Sequence, residues 1–182
     1  MKNIQRTLLP WFIILIGLIL LFVIYNMKQS VETDKEMPTD LHPIVREKKE
    51  TLINKAAANN IQVVITDGLR TVKEQNELYA QGRETSGSTI TNAKGGESYH
   101  NYGLAIDYAL KNKAGEVIWD INYDGNGNGK SDWFEVASIA KDLGFEWGGD
   151  WKAFKDYPHL QMTFGLSIAE LQRGIRPDEK QK

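Results

Sequence analysis

The longest uninterrupted apolar run in the chain is Leu8 to Tyr25, eighteen residues without a charge and broken only by Pro10 and Gly17. At about 1.5 Å per residue such a helix nearly spans a bilayer's hydrocarbon core, and Trp11 and Tyr25 suit the two interfaces. Lys2 and Arg6 precede the run, whereas Lys28 is followed by Glu32, Asp34 and Glu36, a bias that favours the amino terminus inside and the remainder outside. The pattern predicts a single membrane anchor over residues 1–28. A cleaved signal peptide is the alternative, although the run is long for one and the NMKQSVETD flank lacks a small-residue cleavage site. Either way the rest of the chain is exported.

Beyond a polar linker at 29–40, the periods become those of a folded domain over 41–175, with a polar tail at 176–182. Leu41, Ile44, Val45, Leu52, Ile53, Ala56 and Ala57 form a helical stripe. IQVVIT (61–66) reads as a buried strand by its β-branched content. Thr71-x-x-Glu74 opens a helix that ends before Gly82. Residues 87–96, rich in Ser, Thr and Gly, read as an exposed loop. Strands are expected at 104–110 and 117–122, a helix at 133–143, and short strands at 145–147 and 159–163. Ser167-x-x-Glu170 opens a last short helix. Helices and strands do not alternate regularly, so the class is α+β, a small antiparallel sheet with flanking helices.

Composition narrows the chemistry. A formal charge of −2 over 182 residues, with 41% hydrophobic residues, describes a folded chain and argues against a nucleic-acid binder that relies on a positive field. With no cysteine there is no disulfide, thiol nucleophile or thiolate metal site. Any metal must be held by oxygen ligands or by the three histidines, His42, His100 and His159. Of these, His42 reads as a solvated turn residue before Pro43.

Two segments stand out: Ser98-Tyr-His-Asn-Tyr-Gly-Leu-Ala-Ile-Asp107 and Asp156-Tyr-Pro-His159. In the first, Ala105, Asp107 and Ala109 share one strand face, so a carboxylate stands between two small side chains with space above it. His100 lies just upstream, across Gly103. His159 begins the second apolar strand. Two imidazoles and one carboxylate give the three protein ligands of a catalytic zinc, with one position left for water. Asp156 lies three residues before His159, and a further carboxylate outside the ligand set suits a proton acceptor for that water. The competing reading is a helix-capping Asp156, a core-satisfied His159 and an ion-paired Asp107.

The pattern S-x-H-x-x-G-x-A-x-D followed by D-x-P-H resembles the zinc peptidases that cut peptidoglycan peptides, the D-Ala-D-Ala carboxypeptidase and L-alanyl-D-glutamate endopeptidase family. The likeness runs from about residue 41 to 162. It includes Asp67-Gly-Leu-Arg-Thr-x-x-x-Gln75 and Gly144-Phe-Glu-Trp-Gly-Gly-Asp-Trp151, and it is similar in particular to the cell-wall L-alanyl-D-glutamate peptidases. The resemblance implies zinc on His100, Asp107 and His159, Asp156 as general base and Arg70 as oxyanion partner. Ser98 and Gln75 would contact substrate. Trp147, with Trp151 and Phe154, would line a groove for peptide or glycan or else belong to the core. The family often has glutamate at the place of Asp156, and the aspartate form looks more like the endopeptidase branch. The implied partner is the peptidoglycan stem peptide, cut by a monomer. The implied bond is L-Ala–D-Glu, with D-Ala–D-Ala hydrolysis or a noncatalytic, metal-containing wall-binding module as alternatives.

A second metal signal comes from the residues alone. The stretch from Asp124 to Glu135 fits the calcium-loop template D-x-[DN]-x-[DN]-G-x₅-E at every specified position. Ca²⁺ would be held by Asp124, Asn126, Asn128, Asp132, Glu135 and the Lys130 carbonyl. The expected element before it is a strand, so this would be a loop–helix site. The alternative is a Gly/Asn-rich turn followed by an Asp132-x-x-Glu135 helix cap.

Overall fold

The computed structural model describes residues 14–22 and 36–178. Residues 14–22 are helical with exposed side chains, and among the described residues no helix is long and apolar enough to cross a membrane. The rest of the expected 1–28 anchor, most of the linker and residues 179–182 lie outside the described residues.

The domain is α+β, built on one antiparallel sheet. Helix α1 (Pro43–Ala58) starts at His42, whose Nδ1 accepts the Ile44 amide and whose ring packs on Phe164 at 4.8 Å. His42 is therefore a half-buried helix cap rather than a solvated turn residue. Strand β1 (Gln62–Asp67) is followed by α2 (Val72–Ala80), and the Thr71–Glu74 capping box is made in both directions. A 3₁₀ turn, Tyr99–Tyr102, leads into the long central strand β2 (Ala105–Lys111), and β3 (Val117–Ile118) pairs with its far end. Helix α3 (Asp132–Asp142), β4 (Glu146–Trp147), β5 (His159–Gln161) and α4 (Ile168–Gln172) complete the order. The second capping box, Ser167–Glu170, also closes.

Strand order is β1-β2-β5-β4. Of the 61–66 segment, expected to be buried, Ile61 enters the core, but β1 itself has no buried residue, because it is an edge strand with a neighbour on one side only. The strand expected over 117–122 stops at Ile118, and turns at Asp120–Tyr123 replace the rest. Val45, Leu52 and Ala56 of α1 and Val136, Ala137 and Ala140 of α3 close the core over Ile106, Tyr108 and Leu160. Burying a side chain such as Val45 or Leu52 completely stabilises the fold by about 1.5–3 kcal/mol.

Ala105 and Ala109 are fully buried, so the space expected above the alanine face is confined to Asp107. Arg176, where the polar tail begins, is tied down: it donates to the Leu171 and Ile175 carbonyls and stacks on Tyr102.

Candidate metal centre and catalytic cleft

Sheet register assembles the centre. Asp107 pairs with His159 across β2 and β5, and directly opposed residues of an antiparallel pair share a face. On the other side, a register shift between Ile65 and Asp67 brings Asp67 opposite Asp107. Bulges of this kind re-aim side chains beside functional sites. His100 arrives from the 3₁₀ turn, which ends at Gly103 with φ of 67°. A Cβ there would stand 2.5 Å from the Asp40 carbonyl oxygen, so only glycine lets the chain double back.

His100 Nε2 lies 3.3 Å from Asp107 Oδ1, His159 Nδ1 lies 3.2 Å from the same oxygen, and the two nitrogens are 3.2 Å apart. Zinc bonds of about 2.0–2.1 Å at tetrahedral angles place ligand atoms about 3.3–3.4 Å apart, so these three atoms form one face of such a site. Among the described residues this is the one group of three such side chains whose ligand atoms gather within 4.8 Å.

The surrounding hydrogen bonds set the tautomers. His100 Nδ1 donates to the Gly68 carbonyl at 2.7 Å, which leaves Nε2 with its lone pair. His159 Nε2 donates to Gln161 Oε1 at 2.9 Å, while Gln161 Nε2 donates to Glu146 and so holds its amide in that orientation. His159 Nδ1 is thus also free to bind a cation. The donor set, its spacing and its tautomers fit a zinc ion.

Burial alone would raise the Asp107 carboxyl, but the charge that His100 and His159 carry when protonated, with the hydrogen bonds they then donate, outweighs it and holds the group well below the usual carboxylate range. Burial likewise pushes the His159 imidazole down, and its bond to Asp107 reverses this into a net rise. The Asp156 carboxyl is raised, chiefly by burial and further by the Asp107 charge, against the pull of His159, His100 and Arg70.

Arg70 is nearly buried, and its Nη2 lies 3.6 Å from Asp107 Oδ2. Its Nε and Nη2 engage Asp67 Oδ2, and its Nη1 donates to Gln75 Oε1 at 2.7 Å. Of five guanidinium N–H groups, three are thereby engaged and two remain. Gln75 is 0% exposed and also donates to the Ala93 carbonyl, so it does not reach substrate. It is a buried clamp on Arg70, a correction to the contact role expected for it.

Trp147 also departs from the groove reading. It is 4% exposed, packs on Phe134 and Tyr157, and donates from Nε1 to the Tyr157 carbonyl at 2.8 Å. Its place is in the core, behind the segment that carries Asp156 and His159. Gly148 clamps the same segment. Its carbonyl accepts the Asp156 amide, and a Cβ on it would stand 2.5 Å from the Asp156 carbonyl oxygen.

An open cleft of about 880 Å³ lies over the centre, lined by Arg70, Ser98, His100, Asp107, Asp156 and His159. Its walls include Trp151, whose ring is 5.1 Å from that of His159, and Phe154. Ser98 faces the cleft, and its Oγ accepts the His100 amide. Sequence reasoning missed Trp119, which lines the cleft with 59% of its surface exposed, and the supporting roles of Asp67 and Gln161. Asp67 lay within the quoted Asp67–Gln75 stretch. Nothing in the letters marks Trp119 as exposed.

The 124–135 loop is separate from this centre. Asp124 accepts the amides of Gly127, Asn128 and Gly129, while Asn126 and Asn128 donate to the Glu135 carboxylate. The loop's three carboxylates are not gathered to the 4.8 Å spacing of the histidine site. No helix leads into it, as the loop–helix reading expected.

Comparison with known proteins places this geometry. Residues 91–162 match the family model described as D-alanyl-D-alanine carboxypeptidase. The chain is 63% identical over 134 residues to the peptidoglycan L-alanyl-D-glutamate endopeptidase CwlK of Bacillus subtilis (strain 168), covering 74% of this chain and 80% of that protein. It is 34% identical over 113 residues to the L-alanyl-D-glutamate peptidase of Listeria phage A118, covering 62% of this chain and 34% of the phage protein. The crystal structure of DacB from Streptococcus pneumoniae D39 shares the fold, with a TM-score of 0.51 at 18% identity over 76% of this chain and 79% of that one. With the His–Asp–His face in place and such identity along four-fifths of the Bacillus protein, the chain belongs to the M15 family of metallopeptidases.

Proposed function

We propose that this chain is a zinc-dependent peptidoglycan endopeptidase that hydrolyses the L-alanyl–D-glutamate bond of stem peptides. The observation that carries this reading is the three-atom face of His100, Asp107 and His159 at the floor of an open cleft, with Asp156 and Arg70 beside it. The activity named for the Bacillus relative, at 63% identity, favours this bond over D-Ala–D-Ala.

Zinc, when bound, supplies a Lewis acid that polarises the scissile carbonyl and lowers the pKa of water toward about 7. Asp156 takes the proton from the attacking water and passes it to the leaving amine, a task suited to a carboxyl that burial holds above its ordinary pKa. Arg70, held in place by Asp67 and Gln75, turns its two remaining N–H groups to the oxygen on which negative charge develops. Gly68 and Gln161 keep both imidazoles presenting a lone pair. Ser98 borders the substrate's path, and the cleft's volume of about 880 Å³ is that of a ligand-binding site.

In this reading residues 41–175 are the catalytic domain, a monomer carried outside the cytoplasm and facing the wall. Residues 1–28 anchor it in the membrane, 29–40 are its linker and 176–182 a polar tail; the uncharged run from Leu8 to Tyr25 supports the anchor. Digestion of purified peptidoglycan with and without a chelator tests the chemistry. New D-Glu amino termini that vanish with chelator are expected. Released D-Ala would overturn the bond assignment, and turnover indifferent to chelator would overturn the metal.

A further inference from the structure

The loop between β3 and α3 carries a motif that the hydrolytic centre does not use. The simplest account of its acidic residues is helix capping, and the structure goes against it. The N-cap of α3 is Ser131, which makes no side-chain cap bond, and Asp132 turns away from the helix to accept the Gly125 amide at 3.0 Å. Asp132 is 2% exposed, and its second oxygen, Oδ1, is buried with no hydrogen-bond partner. A buried, unpartnered carboxylate oxygen costs free energy unless a cation or proton satisfies it.

Burial raises the Asp132 carboxyl, and the charges of Glu135 and Asp124 raise it further, against the amides of Gly125 and Asn126. On the same loop the side chains of Asn126 and Asn128 sit within 3.1 Å of Glu135. Both asparagines now spend their amide nitrogens on that carboxylate. Their oxygens accept the Asn128 and Lys130 amides; a half-turn of each side-chain amide gives up those bonds and puts an oxygen where the nitrogen sits, as a ligand beside Glu135. Gly127 and Gly129 supply the left-handed turns, with φ of 76° and 84°.

We propose that residues 124–135 form a calcium site distinct from the zinc centre, in which side-chain oxygens of Asp124, Asn126, Asn128, Asp132 and Glu135 and the Lys130 carbonyl surround the ion. An all-oxygen set of this size suits Ca²⁺ better than the smaller, octahedral Mg²⁺. With three carboxylates, affinity falls in the range of extracellular modules, with Kd of about 10⁻⁴–10⁻³ M. The site braces one wall of the cleft. The Asp132 amide and the Ser131 hydroxyl bond to the Tyr123 and Ile121 carbonyls, and the ring of Trp133 lies 6.2 Å from that of cleft-lining Trp119.

The test uses the zinc-loaded full chain, melted in rising calcium chloride with magnesium chloride as control. A Tm rise of about 2–5 °C that saturates in the millimolar range with calcium, and not with magnesium, is expected. Glu135→Gln, which preserves shape, should abolish the rise. Equilibrium dialysis against radioactive calcium should find one ion per wild-type chain at saturation, whatever the variant's stability. No rise up to about 10 mM calcium, a rise of equal size in E135Q, or no bound ion in dialysis would each overturn the site.

Discussion

Asp156 and Arg70 show how much one side chain depends on its neighbours. The Asp156 carboxyl lies in the cleft beside the histidines, and its raised pKa follows first from burial. Asp156→Ala should lower kcat by about 10²–10⁴-fold, the usual contribution of a positioned base, while zinc content stays at one per chain because the three ligands are untouched. Turnover of peptidoglycan alongside metal analysis of the same preparation checks this; full activity in the variant would remove Asp156 from the mechanism. At this scale the sequence was most informative about the candidate catalytic and metal-binding residues. His100, Asp107, His159, Asp156, Arg70 and Ser98 were all legible as candidates, and all six line one cleft. Gln75 and Trp147 were not legible in the same way. Both sit in stretches shared with the family, yet one is a buried clamp and the other core, since a motif marks which residues matter without separating contact from support.

Individual elements act here mainly as positioning devices. Strand β2 is the frame: β1 with its register shift brings Asp67 to one side of Asp107, and β5 brings His159 to the other. The turn before β5 is held by Gly148 and, from behind, by Trp147. Gly148→Ala would push a methyl into the Asp156 carbonyl and close on the Asp156 and His159 side chains. It should cost about 1–3 kcal/mol of stability, as overpacking does, and lower kcat/KM further than the fall in Tm explains. Thermal melts and kinetics on the folded variant measure the two effects; wild-type kinetics would show that the turn tolerates the shift. Among elements, helices with two visible stops were read well from sequence. The capping boxes at Thr71 and Ser167 appear where expected because they are local hydrogen bonds between near neighbours. Strands were read less well. β1 proved to be an edge and β3 only two residues long, because strand burial and extent depend on partners far away in the chain.

Across the whole molecule, the metal centre is also a cross-link. His100 precedes β2, Asp107 lies within it and His159 opens β5, so one ion would tie segments 59 residues apart. Chelation should abolish turnover and lower Tm, with both restored by stoichiometric zinc, because an ion bound only by the folded state stabilises it by mass action. An unchanged Tm after verified metal removal would restrict the ion to chemistry. The sequence by itself determined the identity of the candidate ligands, the helix boundaries, the α+β class and the calcium-type spacing, all of which depend on residue type and on neighbours within a turn or two. Tertiary structure alone decided that β1 is an edge, that Gln75 and Trp147 are buried and Trp119 is exposed, and that Asp132 keeps one oxygen without a partner. Burial and pairing depend on what packs from distant parts of the chain, and local letter patterns carry no record of those partners.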